Sequence, residues 1–386
     1  MVGEGEEDED ERRVDEENES DDLGNNREHG SGEPEAEFRL GSRLKATAGQ
    51  RRGMAAARIA VVGSGAAGLA CAQRLLSAGF HVTLLDKGTR PGGRLGTRRG
   101  AAASRPATPA ERSRVPTADW PELDEDTSVV YGAQYAHGVA PTGSPLDADA
   151  GQWRVADAGR GPEKARTGLL ATLMGDIATA SQGPRGSFVH FQSAHVTGIA
   201  PGSRAVDVQG GDATFGAFDA VAVTAPAPQT ALLLDGIVPP AEVKAVYRAC
   251  LTAVATVPAS HSASLGALAA GELVAHVERT DLASGDVCLV MHAHETTAQA
   301  LLEESKDRIG QLLTADVLGG ALAEEATLVR GHRWRFCRVS EAVGTPHWLS
   351  ESGQIGVAGD WRLGANVGDA LASGASLGDA LVARWK

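Results

Sequence analysis

Three glycines at fixed spacing carry the first sign of chemistry in this chain. Gly63, Gly65 and Gly68 form a G-x-G-x-x-G pattern directly after an apolar run at 59–62. In this pattern the first glycine permits a tight turn, the second lets the backbone approach a pyrophosphate, and the third lets a helix pack closely on a strand. The predicted chemistry is the binding of a dinucleotide at a helix N-terminus, where free amide groups face the phosphates.

The segments around these glycines complete a βαβ unit. Residues 59–62 are apolar and largely β-branched, as in a buried parallel strand; a helix is predicted over 66–77 and a second strand over 81–85. Asp86 ends that strand, 18 residues after Gly68. An acid at this point accepts hydrogen bonds from the adenosine ribose hydroxyls and disfavours a 2′-phosphate. Glycine makes up 48 of 386 residues, so the triplet alone is weak, but strand, triplet, helix and acid agree.

A second glycine pair follows Asp86 within a few residues. Residues 90–97 read Arg-Pro-Gly-Gly-Arg-Leu-Gly-Thr, a segment for which a plain NAD dehydrogenase has no need. The alternative is a basic surface loop with a turn at Pro91-Gly92. Here the chain resembles the two-dinucleotide-binding-domain flavoproteins, whose R-x-G-G-R-x-x-[ST] motif it matches. The resemblance implies that the segment runs along the FAD pyrophosphate toward the flavin, with an arginine neutralising phosphate charge.

The C-terminal region matches the same group. A predicted strand at 353–358 ends in Gly359-Asp360, and a helix of small residues is predicted over 366–381. In these flavoproteins such an acid contacts the ribityl hydroxyls, and the N-terminus of the next helix faces the flavin edge that is negative when reduced. A capping or turn role for Asp360 is the alternative. The resemblance also implies that Trp361 covers the flavin edge.

The resemblance narrows to the renalase-like branch of the FAD-dependent amine oxidase superfamily, over residues 54–386. The short motifs that carry it, in chain order, are Gly132-Ala133-Gln134-Tyr135, Pro226-Ala227-Pro228-Gln229, His332-Arg333-Trp334-Arg335-Phe336 and Gly359-Asp360-Trp361. The chain departs from the family pattern at Val130-Tyr131, in a long insertion at 99–126, and at Gly368-Asp369. These departures affect the substrate side more than FAD binding.

The sequence and the resemblance together predict a site. The cofactor-binding residues are Gly63, Gly65, Ala67, Gly68, Asp86, Lys87, Arg90, Gly93, Arg94, Gly359, Asp360 and Ala372. The residues expected beside the flavin and substrate are Gln134, His332 and Trp334. Strand alternation puts His332 and Trp334 on one face; a packed strand with solvent-facing arginines is the alternative, as is a simple turn and strand at Gln134. FAD is expected to be noncovalent, with attachment through Cys337 as the alternative. No metal is expected, because His292 and His294 lack a further ligand at a recognisable spacing apart from the adjacent Glu295.

The implied reaction is hydride transfer from a reduced small molecule to flavin N5, with O2 as the acceptor giving H2O2. The renalase-like resemblance implies dihydronicotinamide isomers as substrates, whereas the wider superfamily implies amines, and the sequence does not choose between them. Two alternatives stay open. One is an NAD(P)-dependent dehydrogenase that uses the same βαβ unit, and the other is a flavin-binding scaffold or regulator without turnover.

The predicted fold class is α/β: a Rossmann-like FAD domain of the two-dinucleotide-binding-domain type, with a substrate domain built on a mainly antiparallel sheet. The FAD domain is assigned to 54–135, 165–236 and 351–386, and the substrate domain to 136–164 and 237–350. One clear helix is predicted in the latter, over 296–314. The substrate should bind between the two domains, at the exposed face of the flavin.

Residues 1–53 are of a different composition. They hold 17 acids and 8 bases, a net charge of −9 out of −14 for the chain, and are predicted to be a disordered acidic tail. A solvated tail is the simpler expectation, and a basic partner is the alternative. Four widely separated cysteines, no transmembrane stretch and no basic aromatic patch predict a cytoplasmic protein that binds neither membrane nor nucleic acid.

Overall fold

The computed structural model describes residues 56–99, 128–133, 135–137, 146–147, 152–154, 169–183, 186–211, 213–266 and 268–386. The strands are β1 Arg58–Val62, β2 His81–Leu85, β3 Thr97–Arg99, β4 Ser128–Val130, β5 Tyr135–His137, β6 Leu146–Asp147, β7 Gln152–Arg154, β8 Ser187–Phe191, β9 Gly198–Pro201, β10 Val206–Gly210, β11 Ala213–Phe218, β12 Ala220–Val223, β13 Val246–Val257, β14 Val274–Asp281, β15 Val287–Ala293, β16 Leu328–Glu341, β17 Trp348–Leu349 and β18 Ile355–Val357. The helices are α1 Ala66–Ser77, α2 Leu169–Ser181, α3 Ala227–Leu233, α4 Ala259–Ser262, α5 Glu295–Ala300, α6 Lys306–Leu318, α7 Gly320–Glu324 and α8 Val367–Trp385. Short 3₁₀ turns occur at Gly93–Leu95, Pro240–Val243 and Asp360–Arg362.

A six-stranded sheet, in the order β17-β18-β12-β1-β2-β8, forms the first layer. Its pairings are parallel except for the edge pair β17–β18. Helices α1, α2 and α8 cover one face, whereas the antiparallel sheet β9-β10-β11 packs on the other. Since β1 is central and covered on both sides, its residues Ile59, Ala60 and Val61 are completely buried, which explains the continuous apolar run in the sequence.

A four-stranded antiparallel sheet, in the order β14-β15-β13-β16, forms the second domain. One face packs on α6 through side chains such as Leu251, Met291 and Ile309. The other face carries Val254 and Val290, which pack against residues from the end of β4. A Rossmann-type parallel sheet with an antiparallel-sheet domain beside it confirms the predicted fold class.

The βαβ unit lies where it was predicted, with α1 and β2 at the expected residues. The prediction of a single helix over 296–314 was wrong, because this segment contains two helices, α5 and α6. Ser305 starts the second helix by accepting a hydrogen bond from the Arg308 amide at 3.1 Å. None of the helices in the described ranges is long and apolar enough to cross a membrane. The acidic tail and almost all of the insertion at 99–126 lie outside those ranges.

Candidate functional site

The turn between β1 and α1 leaves room for a ligand at one glycine only. Gly63 has a φ of +104°, in the left-handed region that favours glycine. A Cβ on Gly68 would lie 1.9 Å from the Gly63 carbonyl oxygen, so that position is closed by backbone contact. A Cβ on Gly65 would meet no atom within 4 Å. The open space over Gly65 is where the motif predicts a pyrophosphate, so the cradle fits a dinucleotide.

The first backbone amides of helix α1 face this space without a side-chain cap. The helix begins after Gly65 with no side-chain cap and with no acid in its first turn. The first amides of a helix have no partner within the helix and carry the positive end of its dipole. Ala67, one of the predicted cofactor contacts, is buried, and a Cβ on Gly374 of α8 would lie 2.0 Å from its carbonyl oxygen. Small residues therefore let α8 cross directly over the start of α1.

Asp86 ties the end of β2 to the glycine turn. One of its carboxylate oxygens accepts from the Ser64 amide at 2.5 Å and from the Ser64 hydroxyl at 2.6 Å, and the other accepts from the Gly88 amide at 2.6 Å. Ser64 is completely buried. The sequence predicts a ribose contact for Asp86 and indicates no role for Ser64, although a hydroxyl side chain lies inside the triplet. Lys87, the next predicted contact, is exposed.

The second glycine pair, Gly92 and Gly93, lies directly against the glycine triplet. The Gly92 amide donates to the Ser64 carbonyl at 2.9 Å, and Gly65 and Gly92 form an isolated parallel bridge. Gly92 and Gly93 have φ values of +117° and +53°, so the segment needs glycine to make this contact. Arg90, just before it, is half-buried. The two motifs found separately in the sequence therefore form one surface.

Arg94 joins this surface to the C-terminal motif. Its guanidinium donates to both carboxylate oxygens of Asp360, at 2.6 and 2.7 Å, and to the Cys337 carbonyl at 2.8 Å. Burial opposes the charged guanidinium, but the carboxylate of Asp360 outweighs it and raises the pKa of Arg94. The sequence analysis predicted a phosphate partner for an arginine of this segment and ribityl contacts for Asp360. The structure pairs the two residues with each other, 266 positions apart.

The residues that follow Asp360 turn inward. Trp361 is completely buried, and its indole Nε1 donates to the Ala225 carbonyl at 3.0 Å. The expectation that Trp361 covers the flavin edge was therefore wrong, because this hydrogen bond and the surrounding apolar core hold the ring beneath β12. The amide of Gly359 donates to the Ser373 hydroxyl at 2.9 Å, which anchors the motif to α8.

The start of α8 is closed by its own side chains. Asn366 and Asp369 form a capping box, in which the Asn366 amide donates to Asp369 at 3.0 Å. The resemblance implies that the amides at this helix start face a flavin. The backbone amides of Asn366 and Asp369, however, already donate to these two side chains. Ala372 lies in the second turn and is exposed, whereas its neighbours Ser373 and Gly374 are buried against the first layer.

An aromatic cluster joins the two domains. Tyr131 stacks on Trp334 at a centroid distance of 5.2 Å and meets His332 edge-on at 5.0 Å. The ring centroids of His332 and Trp334 are 4.1 Å apart, so the prediction that both side chains lie on one face of β16 is correct. Tyr131 had been noted only as a departure from the family pattern, yet its ring covers both predicted residues. Gln134, the third predicted residue of this group, lies outside the described residues.

Hydrogen bonds continue from this cluster across the antiparallel sheet. The Trp334 Nε1 donates to the Thr252 hydroxyl at 3.2 Å, and that oxygen lies 3.3 Å from His292 Nδ1. His292 Nε2 is inaccessible and has no hydrogen-bond partner among the described residues. Burial, with a smaller contribution from His276, lowers the pKa of His292 to about 4. His292 is therefore neutral at physiological pH. No sequence signal had selected Thr252.

Comparisons with known proteins agree with this fold. Residues 61–143 match the family model of an NAD(P)-binding Rossmann-like domain. Cyclohexylamine oxidase from Brevibacterium oxydans IH-35A superposes with a TM-score of 0.54 at 12% identity, covering 85% of this chain and 99% of that one. A triple mutant of putrescine oxidase gives a TM-score of 0.51 at 14% identity, again over 85% and 99% of the two chains. No curated protein sequence matches the chain significantly.

The fold and the site together define a class: a Rossmann-type dinucleotide-binding protein with an antiparallel-sheet domain packed on it. More particularly, the chain has the fold of cyclohexylamine oxidase and putrescine oxidase. At 12 to 14% identity this likeness concerns the fold alone.

Proposed function

We propose that this protein is an FAD-dependent oxidoreductase of the amine-oxidase-related, renalase-like type. The observation that carries the proposal is the meeting of three segments far apart in sequence: the glycine turn, the second glycine pair and the strand end at Asp360. Gly65 bridges Gly92, and Arg94 binds Asp360 in a bidentate pair. A nicotinamide dinucleotide would need the first segment only, whereas a longer surface of this kind suits FAD.

The residues present fit the cofactor and would hold it without a covalent bond. The first amides of α1 and the open space at Gly65 would take the pyrophosphate, and Asp86 would add a ribose hydroxyl to the bonds it already accepts. Asp360 would present its carboxylate to the ribityl chain from its pair with Arg94. When bound, FAD supplies the redox chemistry, accepting a hydride from a reduced small molecule and passing electrons to O2 to give H2O2.

The aromatic cluster is proposed to form the substrate side. Tyr131 and Trp334 offer flat apolar surface, and His332 adds a polar edge beside them. The Thr252 hydroxyl accepts from Trp334 and so fixes the orientation of the indole ring. A planar substrate such as a dihydronicotinamide isomer matches this surface, and an amine is the second candidate because the fold is shared with two amine oxidases.

The first test is the visible spectrum of the purified protein, recorded before and after anaerobic addition of dihydronicotinamide isomers and amines. We expect flavin bands that one substrate bleaches and that recover in air with formation of H2O2. Flavin bands that no reduced substrate bleaches would favour the scaffold alternative. A colourless protein that does not take up FAD would contradict the proposal and favour NAD(P), in agreement with the description of the matching family model.

A matched pair of variants tests the cradle itself. Gly65→Ala places a methyl group in open space at a φ of −71° that any residue can adopt, so its cost in folding free energy should be about 1 kcal/mol. Its FAD content should nevertheless fall at least about tenfold, because the methyl occupies the position of the pyrophosphate. Gly68→Ala, whose methyl would meet the Gly63 carbonyl, should lose folding and FAD together. Full FAD content in a folded Gly65→Ala variant would show that the dinucleotide binds elsewhere.

A further inference from the structure

A row of polar side chains crosses the antiparallel sheet and ends at the aromatic cluster. Thr252 on β13 lies opposite His292 of β15 on one side and opposite His332 of β16 on the other. Residues directly opposite each other in neighbouring strands point to the same face of a sheet. Trp334 is two positions beyond His332 and shares this face. The row therefore runs from His292 to the proposed substrate side.

The chemistry of its partners fixes the hydrogen bonds of Thr252. An indole N–H donates and never accepts, so the Thr252 oxygen is the acceptor of the 3.2 Å bond from Trp334 Nε1. The hydroxyl has one hydrogen to donate, and His292 Nδ1 lies 3.3 Å from its oxygen. Thr252 is completely buried, so bulk water does not compete for this hydrogen. His292 Nδ1 is therefore its acceptor.

This arrangement places the ring proton of His292 on Nε2. Burial, followed by His276, lowers the pKa of His292 to about 4 against the opposing charge of Glu278, and one nitrogen of a neutral imidazole donates while the other accepts. With the proton on Nε2, that buried N–H is the one group without a partner among the described residues. With the proton on Nδ1, both Nε2 and the Thr252 hydroxyl hydrogen would lack a nitrogen or oxygen partner there. The first tautomer therefore leaves fewer buried polar groups unsatisfied.

We propose that Thr252 and His292 are positioning residues that hold the Trp334 indole at the substrate side. Trp334 Nε1 donates to the Thr252 oxygen, and the Thr252 hydroxyl donates to His292 Nδ1, so each bond sets the direction of the next. The orientation of the indole matters because the Tyr131 ring stacks on it at an interplanar angle of 28°. A tilted indole would open that stack. The inference deepens the proposed function and rests on it only for the claim that a substrate lies against Trp334.

Nuclear magnetic resonance tests this network in the resting protein, without substrate or turnover. The full chain is labelled with 15N in histidine and tryptophan, and long-range 1H–15N spectra distinguish the two neutral tautomers of each imidazole. His292→Gln identifies the His292 signals, and Trp334→Phe identifies the Trp334 indole among six tryptophans. At neutral pH we expect His292 to carry its proton on Nε2. A His292 ring that carries its proton on Nδ1, or on both nitrogens, would overturn the proposal.

Three variants separate positioning from folding. Thr252→Val keeps the shape of the side chain and removes the hydroxyl, so the Trp334 indole hydrogen should exchange with solvent about fivefold faster. Thr252→Ser restores the hydroxyl and should restore slow exchange. His276→Gln is the matched control, because His276 lies opposite His292 in the same row but outside the network. Unchanged indole exchange in a folded Thr252→Val variant would overturn the proposal. The tautomer of the unsubstituted chain decides it if that variant does not fold.

Substrate kinetics show whether the network serves binding. With a dihydronicotinamide isomer or an amine that bleaches the flavin, Thr252→Val should raise KM about fivefold and change kcat less, because a tilted indole holds a flat substrate more weakly. A fall in kcat at unchanged KM would contradict the positioning role. Failure of every such compound to bleach the flavin would count against the proposed function, and the tautomer of His292 would still decide the present inference.

Discussion

Removing one partner of the Arg94–Asp360 pair should destabilise the protein more than removing one partner of an exposed ion pair, and Asp360→Asn tests this. The Asp360 side chain is 5% exposed and the Arg94 side chain 32%. Removing one partner of a buried, hydrogen-bonded pair costs roughly 3–5 kcal/mol, because the other charge stays behind without compensation. Asparagine keeps one acceptor oxygen, so we expect the free energy of unfolding to fall by about 3 kcal/mol, the lower end of this range. This corresponds to a fall in Tm of about 4 °C.

Asp379→Asn is the matched control. Asp379 lies 3.8 Å from Arg74, and both side chains are more than half exposed, so that substitution should cost at most about 1 kcal/mol. The assay is urea unfolding followed by far-UV circular dichroism on samples freed of any bound ligand, with equal m-values required for the comparison. Ligand removal ensures that lost ligand contacts do not enter the difference.

A double-mutant cycle completes this test. Arg94→Met combined with Asp360→Asn should be less destabilising than the sum of the two single variants, by about 2 kcal/mol, because the double variant leaves no buried charge unpaired. The reasoning is refuted if Asp360→Asn costs no more than Asp379→Asn, or if the two single costs simply add.

Two further predictions concern the buried residues on either side of the site. Trp361→Phe should lower the free energy of unfolding by about 1–3 kcal/mol, because the Ala225 carbonyl loses its donor; urea unfolding measures this, and an unchanged midpoint would contradict the assigned hydrogen bond. His292, whose pKa is lowered from 6.5 to about 4, contributes stability that is present above pH 6.5 and is lost as pH falls toward 4, since the unfolded chain then binds the proton first. The slope should approach about 1.4 kcal/mol per pH unit within that window. His292→Gln should reduce it relative to the exposed control His294→Gln, and equal slopes in both variants would contradict the prediction.

Much of the first domain could be predicted from local sequence. The βαβ unit needs only neighbouring residues, because the glycine triplet, the apolar strand and the capless helix start each leave a local pattern. The same holds for α8, whose run of small residues, including Gly374 at the contact with Ala67 of α1, is visible in the sequence. In contrast, the break between α5 and α6 at Ser305 was missed, since one serine in a helical pattern is a weak stop signal.

Partners of charged and aromatic side chains could not be predicted in this way. Arg94 and Asp360 were both assigned to the cofactor, and only the folded chain brings them within 2.7 Å of each other. Trp361 was placed toward the flavin because it follows a ligand-binding acid, yet its direction depends on the Ala225 carbonyl, which comes from a different strand. Sequence spacing carries no information about such contacts.

The sequence by itself determined the βαβ unit with its glycine turn and the predicted fold class, because those properties rest on backbone conformation and short-range periodicity. Tertiary structure alone decided that the glycine motifs form one surface and that Tyr131 covers His332 and Trp334. The aromatic contacts depend on where β16 pairs in its sheet, and the glycine contact depends on how the two loops fold onto each other. Register is fixed by long-range packing, so it is settled only when the whole sheet is assembled.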